Sequence, residues 1–140
     1  MLVNVSYNDL QIKLKINSLI GPPFSLMDRL KKKGIGSPRF LIKESSLNIH
    51  NLLVLDRNLN YCNIELRPKG VIIRFRSLLE TYGLIIPYYK LKLYKGKKFQ
   101  YSIYNDDTFI KVEAKKTTEH SFFRKLNLEK INSKTINPNF

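Results

Sequence analysis

The sequence predicts an α+β or mainly β fold: an antiparallel meander bent into a small barrel or sandwich and packed by a C-terminal helix. Three observations predict it. Apolar and polar residues alternate through much of 61–113, which is the period of a strand with one buried face. Turn signals break that run at short intervals: Arg67-Pro68-Lys69-Gly70, Lys95-Gly96-Lys97-Lys98 and Asn105-Asp106-Asp107. Such spacing suits hairpins rather than long crossovers. The rhythm then changes at 119–131, where Phe122, Phe123, Leu126 and the stem of Lys130 fall within one broad helical face.

The elements follow in chain order. Leu10, Ile12, Leu14 and Ile16 alternate with Gln11, Lys13 and Lys15, which predicts a first strand ended by Gly21-Pro22-Pro23. A short additional helix is expected near residues 26–33. Ser25 is its N-cap, with Asp28 three residues later, and Gly34 suits its C-terminus. Lys31, Lys32 and Lys33 complement the last turn, and Leu26, Met27 and Leu30 form the stripe that must pack. A loop follows over 34–38. Phe40 to Ile42 and Leu52 to Leu55 then predict two strands, with Asp56-Arg57-Asn58 as a turn.

From residue 61 the pattern sharpens. Tyr61 to Leu66 reads as a strand. In the next one Val71, Ile73 and Phe75 face one way, and Ile72, Arg74 and Arg76 the other. Residues 77–82 either continue the sheet or make a helical turn. Pro87 marks a bend or an edge. Lys90 to Tyr94, Phe99 to Ile103 and Phe109 to Val112 complete a meander of about five strands. Thr117 or Thr118 caps the terminal helix, Glu119 suits its first turn, and 132–140 is expected to fray.

A length of 140 residues and a 43% hydrophobic composition fit one domain, 1–140, with its clearest core over 61–131. Twenty-five basic side chains against 11 acidic ones give a net charge of +14. Residues 61–104 concentrate the surplus, with nine basic and two acidic residues. Two origins stand side by side. Abundant Lys, Asn and Ile are what AT-biased codons produce, and a basic surplus attracts nucleic acid or anionic lipid. Cys62 is the single cysteine, which excludes an internal disulfide and a four-cysteine zinc site. A cytoplasmic setting is compatible with that usage, and the charge extends it to the periphery of a membrane. The start shows no signal-peptide pattern. No apolar run approaches the ~20 residues of a span, so no transmembrane segment is expected.

Local motifs for chemistry are sparse. His50 and His120 stand seventy residues apart, with no HExxH and no Cys-x-x-Cys. Cys62 has a packing reading and a nucleophilic one, the latter requiring His120 as its base. Asp106-Asp107 reads as a solvated turn. Gly34-Ile35-Gly36-Ser37 lacks the lysine of a phosphate loop. No catalytic, cofactor-binding or metal-binding residue is assigned, and no cofactor is expected.

The basic, tyrosine-bearing strands are the functional lead. Arg74, Arg76, Lys90 and Lys92 point away from their strands' apolar partners and share a face if those strands pair. Lys95, Lys97 and Lys98 crowd a hairpin tip, with Tyr88, Tyr94 and Tyr104 nearby. Such a set meets a protein partner or an anionic surface. It also suits nucleic acid, with lysines on phosphates and rings on bases. A solvated face with snorkelling lysines is the plainer reading. The oligomeric state stays open: an edge strand near 88–94 invites pairing, and its lysines oppose it.

The order Gly70-Val71-Ile72-Ile73-Arg74-Phe75, then Ile86-Pro87-Tyr88, then hairpins over 99–113, then the helix at 119–131, resembles bacterial pleckstrin-homology-like domains across about residues 60–131. The resemblance implies a small bent barrel or sandwich plugged by its last helix. It also implies a non-catalytic binding or scaffold role toward lipid headgroups, peptides or partner proteins. The first 60 residues either supply strands to that barrel or form a separate β-α addition.

Overall fold

A computed structural model describes residues 1–56 and 59–135, the last two by backbone alone. Eight strands form one antiparallel sheet: β1 (Leu2–Asn4), β2 (Phe40–Ser45), β3 (Tyr61–Arg67), β4 (Gly70–Ser77), β5 (Glu80–Pro87), β6 (Leu91–Lys95), β7 (Gln100–Asn105) and β8 (Thr108–Glu113). Four helices accompany them: α1 (Leu10–Ile20), α2 (Leu26–Lys31), α3 (Leu47–Leu53) and α4 (Thr117–Thr135). The strand order is β1-β5-β4-β3-β2-β8-β7-β6, so the sheet is not closed and β1 and β6 are its edges. The fold is mixed α+β and mainly β, with a C-terminal helix.

The sheet nevertheless bends back on itself. β5 and β6 stand second and eighth in the order, yet only residues 88–90 join them. One core therefore draws on both halves: Ile64, Leu66, Ile73, Phe75, Leu84 and Ile86 from one, Leu91, Ile103, Ile110 and Val112 from the other. Helix α4 covers it. Phe123 stacks on Tyr101 with ring centroids 4.0 Å apart and meets Phe40 at 5.0 Å. Phe122 and Leu126 are buried beside them. Burying each such side chain contributes roughly 2 kcal/mol, enough to hold a helix whose average hydropathy is low.

Residues 1–60 belong to the same sheet, through β1 on β5 and β2 between β3 and β8. The segment 61–113 is thus six strands in two meanders, β3-β4-β5 and β6-β7-β8, rather than one of five. Pro87 ends β5, and the turn through Tyr88 and Lys90 carries the chain round the corner. The hairpin turn at Leu78 settles the ambiguity of 77–82 in favour of the sheet.

Three local expectations are overturned. Residues 10–20 are helix α1, not a strand. Asp9 caps it, its carboxylate accepting from the backbone N–H of Gln11 at 2.9 Å. The alternating pattern hides a stripe at a spacing of four, Ile12, Ile16 and Ile20, which packs on Ile72 and Ile85 across the sheet's outer face. Residues 47–53 are helix α3, whose Ile49 and Leu53 are buried one turn apart, so no strand forms at 52–55. Within α2, the Ser25 hydroxyl caps Asp28 N–H at 3.2 Å as its spacing implies. Its apolar stripe does not pack: Leu26, Met27 and Leu30 are 73%, 68% and 71% exposed. Polar ties hold that helix instead, through a 2.7 Å Lys32–Glu129 bridge and Lys125 Nζ on the Gly34 carbonyl at 2.8 Å.

Two smaller differences concern the C-terminal region. Lys116 immediately precedes α4: its carbonyl accepts the first helical N–H groups, from Glu119 and His120, and its N–H donates to the Glu119 carboxylate at 3.0 Å, so neither threonine is the cap. The helix continues to Thr135, through part of the segment expected to fray; the rest, 136–140, lies outside the described residues. So do Arg57 and Asn58 of the expected turn.

Glycine matters most where α1 meets the sheet. A Cβ on Gly70 would lie 2.4 Å from both Ile20 Cγ2 and the Ile86 carbonyl oxygen. Only a bare backbone lets the helix approach this closely. Gly21, at φ +85°, ends the helix there.

Candidate functional site

The β6–β7 hairpin carries the densest unpaired charge. No acidic residue occurs between Glu80 and Asp106. Lys92 and Lys95 on β6, and Lys97 and Lys98 in the turn, are all exposed. Lys90, at the base of the hairpin, lies 3.7 Å from the Asp106 carboxylate. Among the described residues the far end has no such counter-charge. Gln100 pairs across β8 with Glu113, but that carboxylate already holds Lys115 at 2.7 Å and Lys43 at 3.7 Å. The Lys115 hydrogen bond, opposed by burial and aided by both ammonium charges, keeps Glu113 below the usual carboxylate range.

The tip itself is unusual. Gly96 N–H closes it on the Gln100 carbonyl at 2.7 Å. Within it Lys98 and Phe99 both take left-handed backbone, with φ of 49° and 66°. This conformation is costly for residues with a Cβ. It turns Phe99 out of the strand, 51% exposed beside two lysines. In sequence, Phe99 alternates in one set with Tyr101 and Ile103. Those two are buried; Phe99 is not. A phenylalanine directly after two lysines was the available signal for an outward tip.

The other expected residues divide. Lys92 and Tyr104 are cross-strand partners on the outer face, and Tyr94 sits edge-on to Tyr104 at 5.6 Å. Tyr104 in turn stacks on Phe109 at 5.2 Å. Their ring faces are therefore partly spent on one another. Tyr88 is not a surface residue at all: it is 2% exposed and its hydroxyl donates to the Arg67 carbonyl at 3.1 Å. Burial, reinforced by the Glu129 charge, pushes its phenol well above the ordinary value. Arg74 and Arg76 lie on the outer side of β4, third in the sheet, while Lys90 and Lys92 belong to the eighth strand and the turn before it. The structure does not gather these four into one patch.

Arg74 is also engaged. Glu65 accepts from Arg74 at 3.0 Å and from Arg67 Nε. Arg67, 7% exposed, donates further to the Gly21 carbonyl at 3.0 Å and Asn17 Oδ1 at 3.2 Å. Burial raises the Glu65 carboxyl, but the two guanidinium groups outweigh it and hold the pKa below its ordinary value. This network ties the end of α1 to β3 and β4. It is structural chemistry: the sequence offers Glu65, Glu80 or Glu113 as an ion-pair partner for Arg74 or Arg76, and the fold selects Glu65 and adds Arg67.

Cys62 is 2% exposed on the core side of β3. Burial pushes its thiol up to about 12, so at neutral pH it is not a thiolate. His120 is occupied elsewhere, with Nδ1 bonded to the Tyr101 hydroxyl at 2.9 Å and its ring against Phe99. No recorded hydrogen bond joins it to Cys62. Among the described residues no group of three or more His, Cys, Asp or Glu side chains converges as a metal site. No described helix is long and apolar enough to cross a membrane.

Comparison with known protein families, with curated proteins and with solved structures finds no match to this chain.

Proposed function

We propose that the chain is a non-catalytic binding or scaffold domain of the pleckstrin-homology-like type, and that its β6–β7 hairpin contacts an anionic surface. The run β5-β4-β3-β2-β8-β7-β6, bent over one core beneath α4, supports the architectural part. The protonated, buried Cys62 supports a non-catalytic role. One observation carries the functional part: exposed Lys95, Lys97 and Lys98 share one hairpin tip with a half-exposed Phe99, and the hairpin has no acidic residue.

The energetics fit a reversible contact. Each lysine near an anionic membrane contributes ~1 kcal/mol, and seating the exposed half of Phe99 at the headgroup boundary adds about another. The four together reach ~4 kcal/mol, an affinity in the millimolar range. That is a weak grip suited to recruitment with a second contact. A nucleic-acid reading has less support, because Tyr94 and Tyr104 already pack on each other and on Phe109.

Co-sedimentation with phosphatidylserine vesicles tests the reading. Binding should weaken with salt, vanish on phosphatidylcholine alone, and be lost in a Lys95→Glu/Lys97→Glu/Lys98→Glu variant of unchanged thermal stability. Equal binding by that variant, or no binding at low salt, would defeat it. Tighter retention on single-stranded DNA than on vesicles would favour nucleic acid instead.

A further inference from the structure

Arg76 is left over from both the hairpin and the Glu65 network. It lines a cleft of about 670 Å³ on the outer face of the sheet, opened across β3 and β4. Helix α1 covers one end of that face through Ile72 and Ile85. Beyond the helix the outward positions turn polar. Register places Asn63 opposite Arg74 and Thr81 opposite Arg76. Arg39, immediately before β2, closes the other side with its guanidinium 4.1 Å from the centre of the Tyr61 ring.

Three guanidinium groups thus border one concavity. Arg74 is neutralised by Glu65. Among the described residues, Arg39 and Arg76 have no carboxylate partner. The acid lining the cleft, Asp56, spends an oxygen on the Leu78 N–H at 2.9 Å. The register puts Arg39 two strand spacings across from Arg74 and two residues further along from Arg76, so the Arg39 and Arg76 backbones stand ~12 Å apart. That is within reach of one bound group for side chains as long as arginine. Like charges so disposed repel one another until an anion sits between them. The guanidinium fork suits oxyanions held by two parallel hydrogen bonds.

Size and lip narrow the ligand. A bare phosphate would leave most of the space empty, since cavities of this volume hold small organic molecules. Leu59 and Leu78, 69% and 54% exposed, border the opening, and Tyr61 lines it beneath Arg39. We infer that the Arg39–Arg76 cleft is a binding site for a small molecule with a phosphate-like anionic head on an apolar or aromatic body. Asp56 keeps its own charge, so the preference for a phosphate over a carboxylate comes from geometry: three head oxygens can meet both guanidinium forks. The body rests against Leu59, Leu78 and Tyr61. The site uses none of the hairpin lysines, so it stands or falls separately from membrane contact.

Amide NMR titration of the full chain with phenyl phosphate tests it. Saturable shifts should centre on residues 61–63 and 74–78. Phenyl phosphate should bind about tenfold more tightly than inorganic phosphate or benzoate. Arg39→Gln and Arg76→Gln should each weaken it by about tenfold, while Lys97→Glu leaves it unchanged. Shifts spread evenly over the lysine surface, the absence of saturation, or wild-type binding by both arginine variants would overturn the assignment. If a variant unfolds, the wild-type ranking of the three probes and the location of the shifts still decide it.

Discussion

Arg67 and Lys97 stand in two halves of one sheet that treat positive charge in opposite ways. In the half built from β3, β4 and β5, the outer face carries a helix. Arg67 is sunk between that helix and the strands, bonded to Glu65, Asn17 and the Gly21 carbonyl. In the half built from β6, β7 and β8, Lys92, Lys95, Lys97 and Lys98 stand in solvent, and among the described residues those at the tip have no acidic partner. Net charge treats these cations alike. Their partners do not: the first set holds the fold together, and the second is free to meet something else.

The sharpest way to break this contrast is to remove one cation from each half. Arg67→Met should cost ~3 kcal/mol in urea unfolding, because it strips Glu65 of a buried partner and leaves the Gly21 carbonyl unpaired. Lys97→Met should change stability by no more than about 0.5 kcal/mol. Similar losses from the two would erase the distinction.

Acidity sharpens the comparison further. Glu65 has a folded-state pKa below its ordinary value. Its ionised form is the one the fold favours. The stability it contributes is complete above the ordinary carboxylate range and is lost as pH falls through that range to the folded value. Glu65→Gln should therefore cost ~1 kcal/mol at neutral pH, and the gap between variant and parent should close in acid. A gap that stays constant down to low pH would show that the carboxylate charge plays no part.

The smallest effect belongs to the tip. Lys98 sits at φ 49°, where asparagine is better tolerated. Lys98→Asn should raise stability by about 0.5 kcal/mol while weakening vesicle binding. A gain in stability with a loss of binding is the signature of a residue kept for contact rather than for folding. A loss of both would return the tip to a structural role.

Legibility in the sequence followed the range of the forces involved. The inward set Val71, Ile73, Phe75, Leu91 and Ile103 was readable because alternation reports directly on which face is dry. The cap at Ser25 and the turns at Pro68-Lys69 and Asp106-Asp107 were readable for the same local reason. Of the proposed binding residues, the lysine tip was visible and the outward Phe99 was not. The arginine cleft was invisible, because Arg39 and Arg76 lie 37 positions apart in the chain and meet only across two strand pairings.

What the sequence determined by itself was rhythm: a two-residue period through 61–113, turns to punctuate it, and a terminal helix with two adjacent phenylalanines to bury. Tertiary packing, with the local Asp9 cap, decided that Leu10–Ile20 is helical, since Ile12, Ile16 and Ile20 fit both an alternating strand and a spacing-of-four stripe. The bare backbone of Gly70 and the bonds from Arg67 selected the second. It also decided that β2 enters between β3 and β8 and so divides the cations between two surfaces. Local patterns fix which way a side chain points along its own strand; only long-range pairing fixes which distant side chains it will stand beside.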